Sequence, residues 1–160
     1  EGGLREPFIV QWKGHIKPGQ TDSTSVVAGT DMLPSLCSIA GINLPRHVKL
    51  DGEDMSEALL GRPKSRTKPV LWEYRAKIYG EDTSIYSPMM AVRDGCWKLL
   101  WNPDDSRTEL YNIVNDPTES NNTAGQNPTV VNRLKNLLKQ FLSELPKDRW
   151  KHPDAGYPQY

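Results

Sequence analysis

The side chains that most often bind metals or transfer protons are scattered along this sequence. It has three histidines that lie far apart: His15, His47 and His152. None of them has a cysteine or a carboxylate at the spacing of a zinc site. Asp51, Glu53 and Asp54 form a short acidic group, but they lack the alternating ligands and closing glutamate of an EF-hand calcium loop. The sequence therefore predicts surface histidines, a solvated acidic loop and no metal-binding residue.

Candidate nucleophiles are equally isolated. The two cysteines, Cys37 and Cys96, lie in an apolar helical stretch and in a strand pattern, which favours buried free thiols. No serine lies in a nucleophile elbow, and no glycine-rich loop could cradle a phosphate. We therefore assign no catalytic residue to this chain.

Four aromatic residues suggest a different chemistry, which is stacking on sugars or bases. Trp72, Tyr74, Trp97 and Trp101 all fall in or beside predicted strands. Because residues two apart in a strand share a face, core packing explains part of this cluster without a ligand. We expect Trp72 and Trp97 to pack in the core, and Tyr74 and Trp101 to be less buried. A stand-alone carbohydrate-binding or interaction module is therefore one open reading.

Length and composition limit the remaining classes of protein. A chain of 160 residues is long enough for one domain with a real core. It has 20 basic and 20 acidic side chains, so there is no net charge to attract nucleic acid or an anionic membrane. No apolar run approaches the ~20 residues of a membrane span. We expect neither nucleic acid nor a membrane as a partner.

Hydrophobic periodicity divides the chain into two lobes. In the first lobe, an apolar run predicts a buried strand over 8–12, and helical spacing predicts a helix over 31–40 that ends at Gly41. A shorter helical turn is expected at 56–60. The basic segment 62–69 is the best internal boundary, because it combines charges with prolines at both ends.

The second lobe has the pattern of a small antiparallel sheet covered by a helix. Four short strands are predicted, over 70–75, 89–93, 96–101 and 109–112. The Asp94-Gly95 link between the middle two predicts a type I′ hairpin turn, in which both central residues need positive φ. Residues 128–145 carry an apolar stripe at helical spacing and are followed by Pro146, so we expect a long helix there.

Several segments, taken in order, resemble one known family. Glu1–Gly19 contains the pattern Glu-Gly-Gly-x-Arg-x-Pro, then an apolar run and a Trp-x-Gly turn in which Lys13 replaces a more usual proline. Further matches follow at 31–42, 50–52, 91–99 and 109–122. This ordered series resembles the C-terminal part of the sulfatases, and the opening is most similar to the arylsulfatase A and N-acetylgalactosamine-6-sulfatase branch.

The resemblance implies a fold and a division of the chain. The fold would be α/β (α+β), the C-terminal part of an alkaline-phosphatase-like sulfatase, with a small antiparallel sheet packed against a long C-terminal helix. Residues 1–62 would be the tail end of the large catalytic domain, with strand 8–12 and helix 31–40. Residues 63–160 would be the C-terminal subdomain, with the sheet and helix 128–145.

The resemblance also implies hydrolysis of sulfate esters, in particular those of sulfated sugars. The family uses a calcium ion and a formylglycine, made from the first residue of a Cys/Ser-x-Pro-x-Arg motif. Neither Cys37 nor Cys96 lies in such a motif. We therefore expect both groups to belong to a missing N-terminal catalytic half, and this chain to be inactive alone.

In the family, the C-terminal subdomain lies beside the active-site cleft, so its loops can shape the cleft. We expect Tyr74, Arg75 and Lys77 to bind substrate by facing an anionic glycan, with a solvated edge as the alternative. The substrate of the whole enzyme would be a sulfated glycan or an aryl sulfate. Without the missing half the apolar run 8–12 would be exposed, so the chain alone is expected to form homo-oligomers. Family habit suggests a periplasmic, secreted or lysosomal protein, and the residues do not choose among these.

Overall fold

A computed structural model describes residues 4–44, 47–74 and 87–146. The chain forms two compact units, Glu1–Pro69 and Val70–Tyr160. The basic segment predicted as an internal boundary therefore lies at the end of the first unit. The division after residue 62 into a catalytic-domain tail and a C-terminal subdomain stays a prediction.

Two helices form the regular part of the first unit. α1 spans Met32–Ala40 and follows a 3-10 turn at Gly29–Asp31, and α2 spans Ser56–Leu59. Gly41 ends α1 with a φ of 66°, a left-handed conformation that glycine adopts without a clash at Cβ. Both predicted helical segments are confirmed.

The predicted strand over 8–12 is absent, so this prediction was wrong. Those residues lie in no regular element, and Ile9 is 89% exposed. A strand needs a neighbour for its backbone hydrogen bonds, and no described residue pairs with this run as a strand. The chain turns at its end, where the carbonyl of Trp12 accepts the N–H groups of His15 and Ile16 at 3.0 and 2.9 Å.

The second unit is built on a four-stranded antiparallel sheet in the order β1-β2-β3-β4. The strands are β1 (Val70–Glu73), β2 (Met90–Asp94), β3 (Trp97–Trp101) and β4 (Thr108–Asn112). Their register places Val92 opposite both Leu71 and Leu99, so one apolar layer continues across three strands. All four predicted strands are confirmed.

The hairpin turn between β2 and β3 differs from the predicted type. Asp94 still pairs with Trp97 at the end of the ladder, so the two turn residues are Gly95 and Cys96. Only Gly95 of these two has a positive φ, of 59°. Type I′ needs a positive φ at both central residues, whereas glycine at the first central position is typical of type II′. The prediction was wrong because Asp94 keeps its place in the strand.

The long helix α3, Pro128–Glu144, packs across one face of the sheet. Pro128 is tolerated because it lies in the first turn. The buried stripe of the helix is Val131, Leu134 and Leu138, and it packs against Met90, Val92, Leu99, Trp101 and Leu110. The predicted helix is confirmed. Among the described helices, none has the length and apolar character needed to span a membrane.

The tryptophans are buried in a different order from the one predicted. Trp101 is 2% exposed and belongs to the layer beneath α3, whereas Trp72 is only partly buried, on the other face of the sheet. Lys135 and Lys139 of α3 lie over the Trp101 ring, with nitrogen-to-centroid distances of 5.6 and 5.9 Å. These cation–π contacts bring two lysines from the polar side of the helix over the edge of the core. Tyr74 is exposed, as expected.

Candidate functional site

Tyr74 is the one predicted substrate-binding residue that falls within the described ranges. It directly follows β1, an edge strand, and its N–H donates to the carbonyl of Met89 at 2.7 Å. Its side chain is more than half exposed. Arg75 and Lys77, predicted to share the site, lie outside the described residues. The structure therefore positions one member of the predicted site, an exposed phenol at the edge of the sheet.

A buried ion pair lies on the sheet face opposite α3. Lys98, in β3, has a side chain that is 3% exposed, and its Nζ lies 2.5 Å from Oε1 of Glu119, whose side chain is 14% exposed. Burial alone would raise the pKa of Glu119, but favourable interactions, with the hydrogen bond from Lys98 the largest, lower it by more. Glu119 therefore stays a carboxylate, and the pair ties β3 to the loop that follows β4.

The loop that supplies Glu119 is organised around Asp116. The Asp116 carboxylate accepts the N–H groups of Asn121 and Ser120 at 2.9 and 3.1 Å, and these bonds lower its pKa to about 2. Glu119 has a φ of 55°, a left-handed conformation that costs a non-glycine residue about 1 kcal/mol or more. The loop thus holds a strained residue whose side chain reaches Lys98.

A second polar group on this face is centred on Glu109. Its carboxylate accepts the hydroxyl of Tyr111 at 2.9 Å and forms an ion pair with Arg107. Burial and the Glu109 carboxylate raise the pKa of Tyr111 well above its usual value, so the phenol stays protonated. Sequence analysis missed this network. The signal that could have found it is strand alternation, which places Lys98 and Tyr111 on the same face of the sheet. The two residues are directly paired across β3 and β4.

In the first unit, Asp31 is a buried charge at the start of α1. Its side chain is fully buried and forms an ion pair with Arg66. It also accepts the N–H groups of Ala28 and Glu53 at 2.7 and 2.9 Å. Burial opposes ionisation of Asp31, but the hydrogen bonds from Arg66 and the two N–H groups lower its pKa. Asp31 therefore remains a carboxylate.

Glu53 belongs to the acidic group that was predicted to be solvated, and for this residue the prediction was wrong. Its carboxylate accepts the backbone N–H groups of Thr67 and Lys68 at 2.9 and 3.1 Å. Burial opposes its ionisation, but the hydrogen bonds from Thr67 and Lys68 lower its pKa. Asp51 is exposed, as expected. Glu53 thus binds the basic segment of the chain instead of water.

Groups that could bind a metal or act as nucleophiles stay apart. His15 and His47 are exposed, and Cys37 and Cys96 are free and half-buried instead of buried. Within the described ranges, no three His, Cys, Asp or Glu side chains come close enough to hold a metal ion. The sequence contains no Cys/Ser-x-Pro-x-Arg motif. The described residues therefore do not fit a calcium site, and the sequence does not fit a formylglycine.

The first unit exposes large apolar side chains in two places. Besides the run 8–12, α1 presents Leu33 and Leu36, each more than half exposed. These two residues are three apart, so they share one face of the helix. Ile42, just after α1, is also exposed. Apolar surface of this extent is typical of a region that another part of a protein covers.

Comparison with known proteins gives this arrangement a context. The family model described as "N-sulphoglucosamine sulphohydrolase, C-terminal" matches residues 1–148. Arylsulfatase A of Homo sapiens is 32% identical over 86% of this chain, and N-acetylgalactosamine-6-O-sulfatase of Bacteroides thetaiotaomicron is 28% identical over 87% of it. The chain spans only 30% and 27% of the lengths of these two relatives.

Solved structures agree with these relatives on the fold. The structure of Ps i-CgsB in complex with k-i-k-neocarrahexaose matches 89% of this chain and 30% of its own, with a TM-score of 0.68 and 19% identity. The 2-O GAG sulfatase BT1596 matches 74% of this chain and 25% of its own, with a TM-score of 0.54 and 25% identity. The small antiparallel sheet and its terminal helix are therefore part of a larger, alkaline-phosphatase-like α+β fold.

Proposed function

Because this chain belongs to the sulfatase family, as a C-terminal domain, we propose that it forms part of an enzyme that hydrolyses sulfate esters. The observation that carries the proposal is the family match, which extends from residue 1 to 148. The calcium ion and the formylglycine that sulfatases use would come from the part of the enzyme that this chain does not span. The chain would contribute no group to the covalent chemistry and would be inactive alone.

The contribution we assign to this chain is shaping of the substrate cleft. Tyr74 supports it, because its exposed ring follows an edge strand and is free to stack on a sugar. Arg75 and Lys77 follow at once and would provide positive charge for an anionic substrate. Sulfated sugars are the favoured substrate class, since N-acetylgalactosamine-6-O-sulfatase and a 2-O GAG sulfatase are among the proteins that this chain resembles.

Substrate kinetics of the full-length enzyme test the cleft assignment. Replacing Arg75 by alanine should raise KM about tenfold for a sulfated sugar, the loss of one charge-assisted hydrogen bond. KM for a small aryl sulfate should change much less, because that substrate is too small to reach Arg75. The matched control is Arg133→Ala on α3, where the exposed arginine pairs only with Asp94 among the described residues, and it should leave both KM values unchanged.

Two outcomes would contradict different parts of the proposal. Equal rises in KM for both substrates would contradict the assignment of Arg75 to the substrate cleft but not the proposed activity. Failure of the unaltered full-length protein to hydrolyse any sulfate ester would overturn the function itself.

We further propose that the missing part of the enzyme covers the exposed apolar surface of the first unit. Burial of one leucine side chain contributes about 1.5–3 kcal/mol, so covering Leu33 and Leu36 would be strongly favourable. Hydrogen exchange can compare the α1 amides in the full-length enzyme and in this chain alone. Much stronger protection in the full-length enzyme is expected, and equal protection in both would contradict the proposal.

A stand-alone carbohydrate-binding module is the alternative, and fewer observations favour it. Of the four aromatic residues that suggested it, Trp101 is buried beneath α3, and Trp72 and Trp97 are partly buried. Tyr74 alone among the four offers an exposed ring. One exposed ring is a poor platform for a free sugar chain.

A further inference from the structure

The basic segment at the end of the first unit is held along its length. At its start, the backbone N–H of Lys64 donates to the Ser25 hydroxyl at 2.8 Å, and Nζ of Lys64 donates to the carbonyl of Asp54 at 2.6 Å. At its end, Nζ of Lys68 donates to the carbonyls of Leu50 and Gly52 at 2.9 and 2.7 Å. The composition of this segment predicted an internal boundary, but the segment is bound near both ends to other parts of the first unit.

Two carboxylates hold the middle of the same segment. Glu53 accepts the N–H and the hydroxyl of Thr67 at 2.9 and 2.6 Å, and the N–H of Lys68 at 3.1 Å. Asp31 forms an ion pair with Arg66, and both of these side chains are less than a tenth exposed. Nε of Arg66 lies 3.6 Å from Glu53 and donates to the carbonyl of Lys68 at 2.8 Å. The segment is therefore fixed by buried charges as well as by backbone contacts.

The two carboxylates are themselves joined. Oδ1 of Asp31 accepts the N–H of Glu53 at 2.9 Å, so the loop that carries Glu53 is fastened to the start of α1. Gly52 makes this approach possible, because a Cβ at that position would overlap the backbone carbonyl of Thr30. Loop, helix and basic segment form one hydrogen-bonded group.

We propose that Asp31 and Glu53 act as a carboxylate latch that holds a strap, residues 64–68, against the rest of the first unit. Loss of either carboxylate releases the strap from these contacts. The latch does not depend on the proposed catalytic function, because it uses only contacts within the first unit. Its physical basis is that hydrogen bonds to a charged group are stronger than those between neutral groups, and that the Asp31–Arg66 pair is also sheltered from water.

Limited proteolysis with trypsin tests the latch in the intact protein. Trypsin cuts after lysine and arginine but not before proline, so Arg62-Pro63 and Lys68-Pro69 resist it and only the bonds after Lys64 and Arg66 are open to attack. Glu53→Gln leaves both of these peptide bonds in the chain. Because it weakens the contacts of the strap, it should speed their cleavage about tenfold. Glu57→Gln is the matched control. Glu57 is exposed, and its ion pair with Arg62 is long, at 4.0 Å, so this change should leave cleavage unchanged.

Chymotrypsin cleavage after Leu59, which is buried in α2, shows whether a variant has unfolded the first unit. If Glu53→Gln opens that bond too, Thr67→Val decides, since it removes one hydrogen bond to Glu53 and no charge. Faster cleavage after Lys64 and Arg66 with the bond after Leu59 protected supports the latch. Equal rates of cleavage after Lys64 and Arg66 in the Glu53, Thr67 and Glu57 variants would overturn it. Rapid cleavage at these bonds in the unaltered protein would do the same.

Discussion

Replacing Lys98 by methionine should destabilise the second unit by about 3 kcal/mol. Methionine has a similar length and no charge, so the change leaves the Glu119 carboxylate in the interior without the lysine charge. Removing one partner of a buried ion pair costs about 3–5 kcal/mol. Because the Glu119 side chain is 14% exposed, water can reach it, and we expect the lower end of this range.

A double-mutant cycle isolates the interaction of the two side chains. Glu119→Gln should cost about 2 kcal/mol, since the amide can still accept a hydrogen bond from Lys98. The double variant should lose less stability than the sum of the two single losses, because neither charge is then buried without the other. Urea unfolding followed by tryptophan fluorescence gives the free energy of unfolding of all four proteins.

The control for this cycle is an exposed ion pair in the same unit. Arg133→Met removes the ion pair with Asp94. Both of these side chains are substantially exposed, so the change should lower the free energy of unfolding by less than about 1 kcal/mol. A loss below about 0.5 kcal/mol for Lys98→Met would refute the reasoning, as would strict additivity in the double variant.

Three further changes test other features of the first unit. Gly52→Ala should lower the melting temperature by several degrees more than Gly29→Ala, because an added Cβ meets Thr30 at position 52 and open space at position 29; equal shifts would contradict the close approach. Asp31 has a lowered pKa in the folded protein, so its contribution to stability is present above the unfolded value of about 4 and is lost as the pH falls through the folded value. Urea midpoints measured from pH 7 to pH 2 should therefore fall less steeply in Asp31→Asn than in the unaltered protein, and equal slopes would exclude this role. Leu36→Lys should reduce self-association of the isolated chain in light scattering, since it places a charge on the exposed face of α1; a monodisperse monomer before any substitution would contradict the expected homo-oligomer.

Regular elements with a complete local pattern were predictable from the sequence. α3 was predicted because its apolar side chains recur at helical spacing over 17 residues and a proline follows its last turn. The strands were predicted because β-branched and aromatic residues cluster between turn residues. The run 8–12 has the same composition, yet it forms no strand, since no described residue pairs with it.

The candidate site was less predictable, because its parts are distant in sequence. Strand alternation could have placed Lys98 on the face away from α3, but only the folded chain brings Glu119 to it. Glu53 was predicted to be a solvated charge, and its contact with Arg66 depends on how the loop before α2 folds back on α1. Trp101 was predicted to be less buried than Trp72 and Trp97, because the sequence alone does not show which face of the sheet α3 covers.

The sequence by itself determined the family, the order of the elements and the absence of the formylglycine motif from this chain, because each depends on residues close together along the chain. The tertiary structure alone decided which charges are buried and what they hold. Pairing of Lys98 with Glu119, and of Asp31 with Arg66, joins residues 21 and 35 positions apart. Such a pairing costs desolvation of both charges, and only the packing around them determines whether their attraction outweighs that cost.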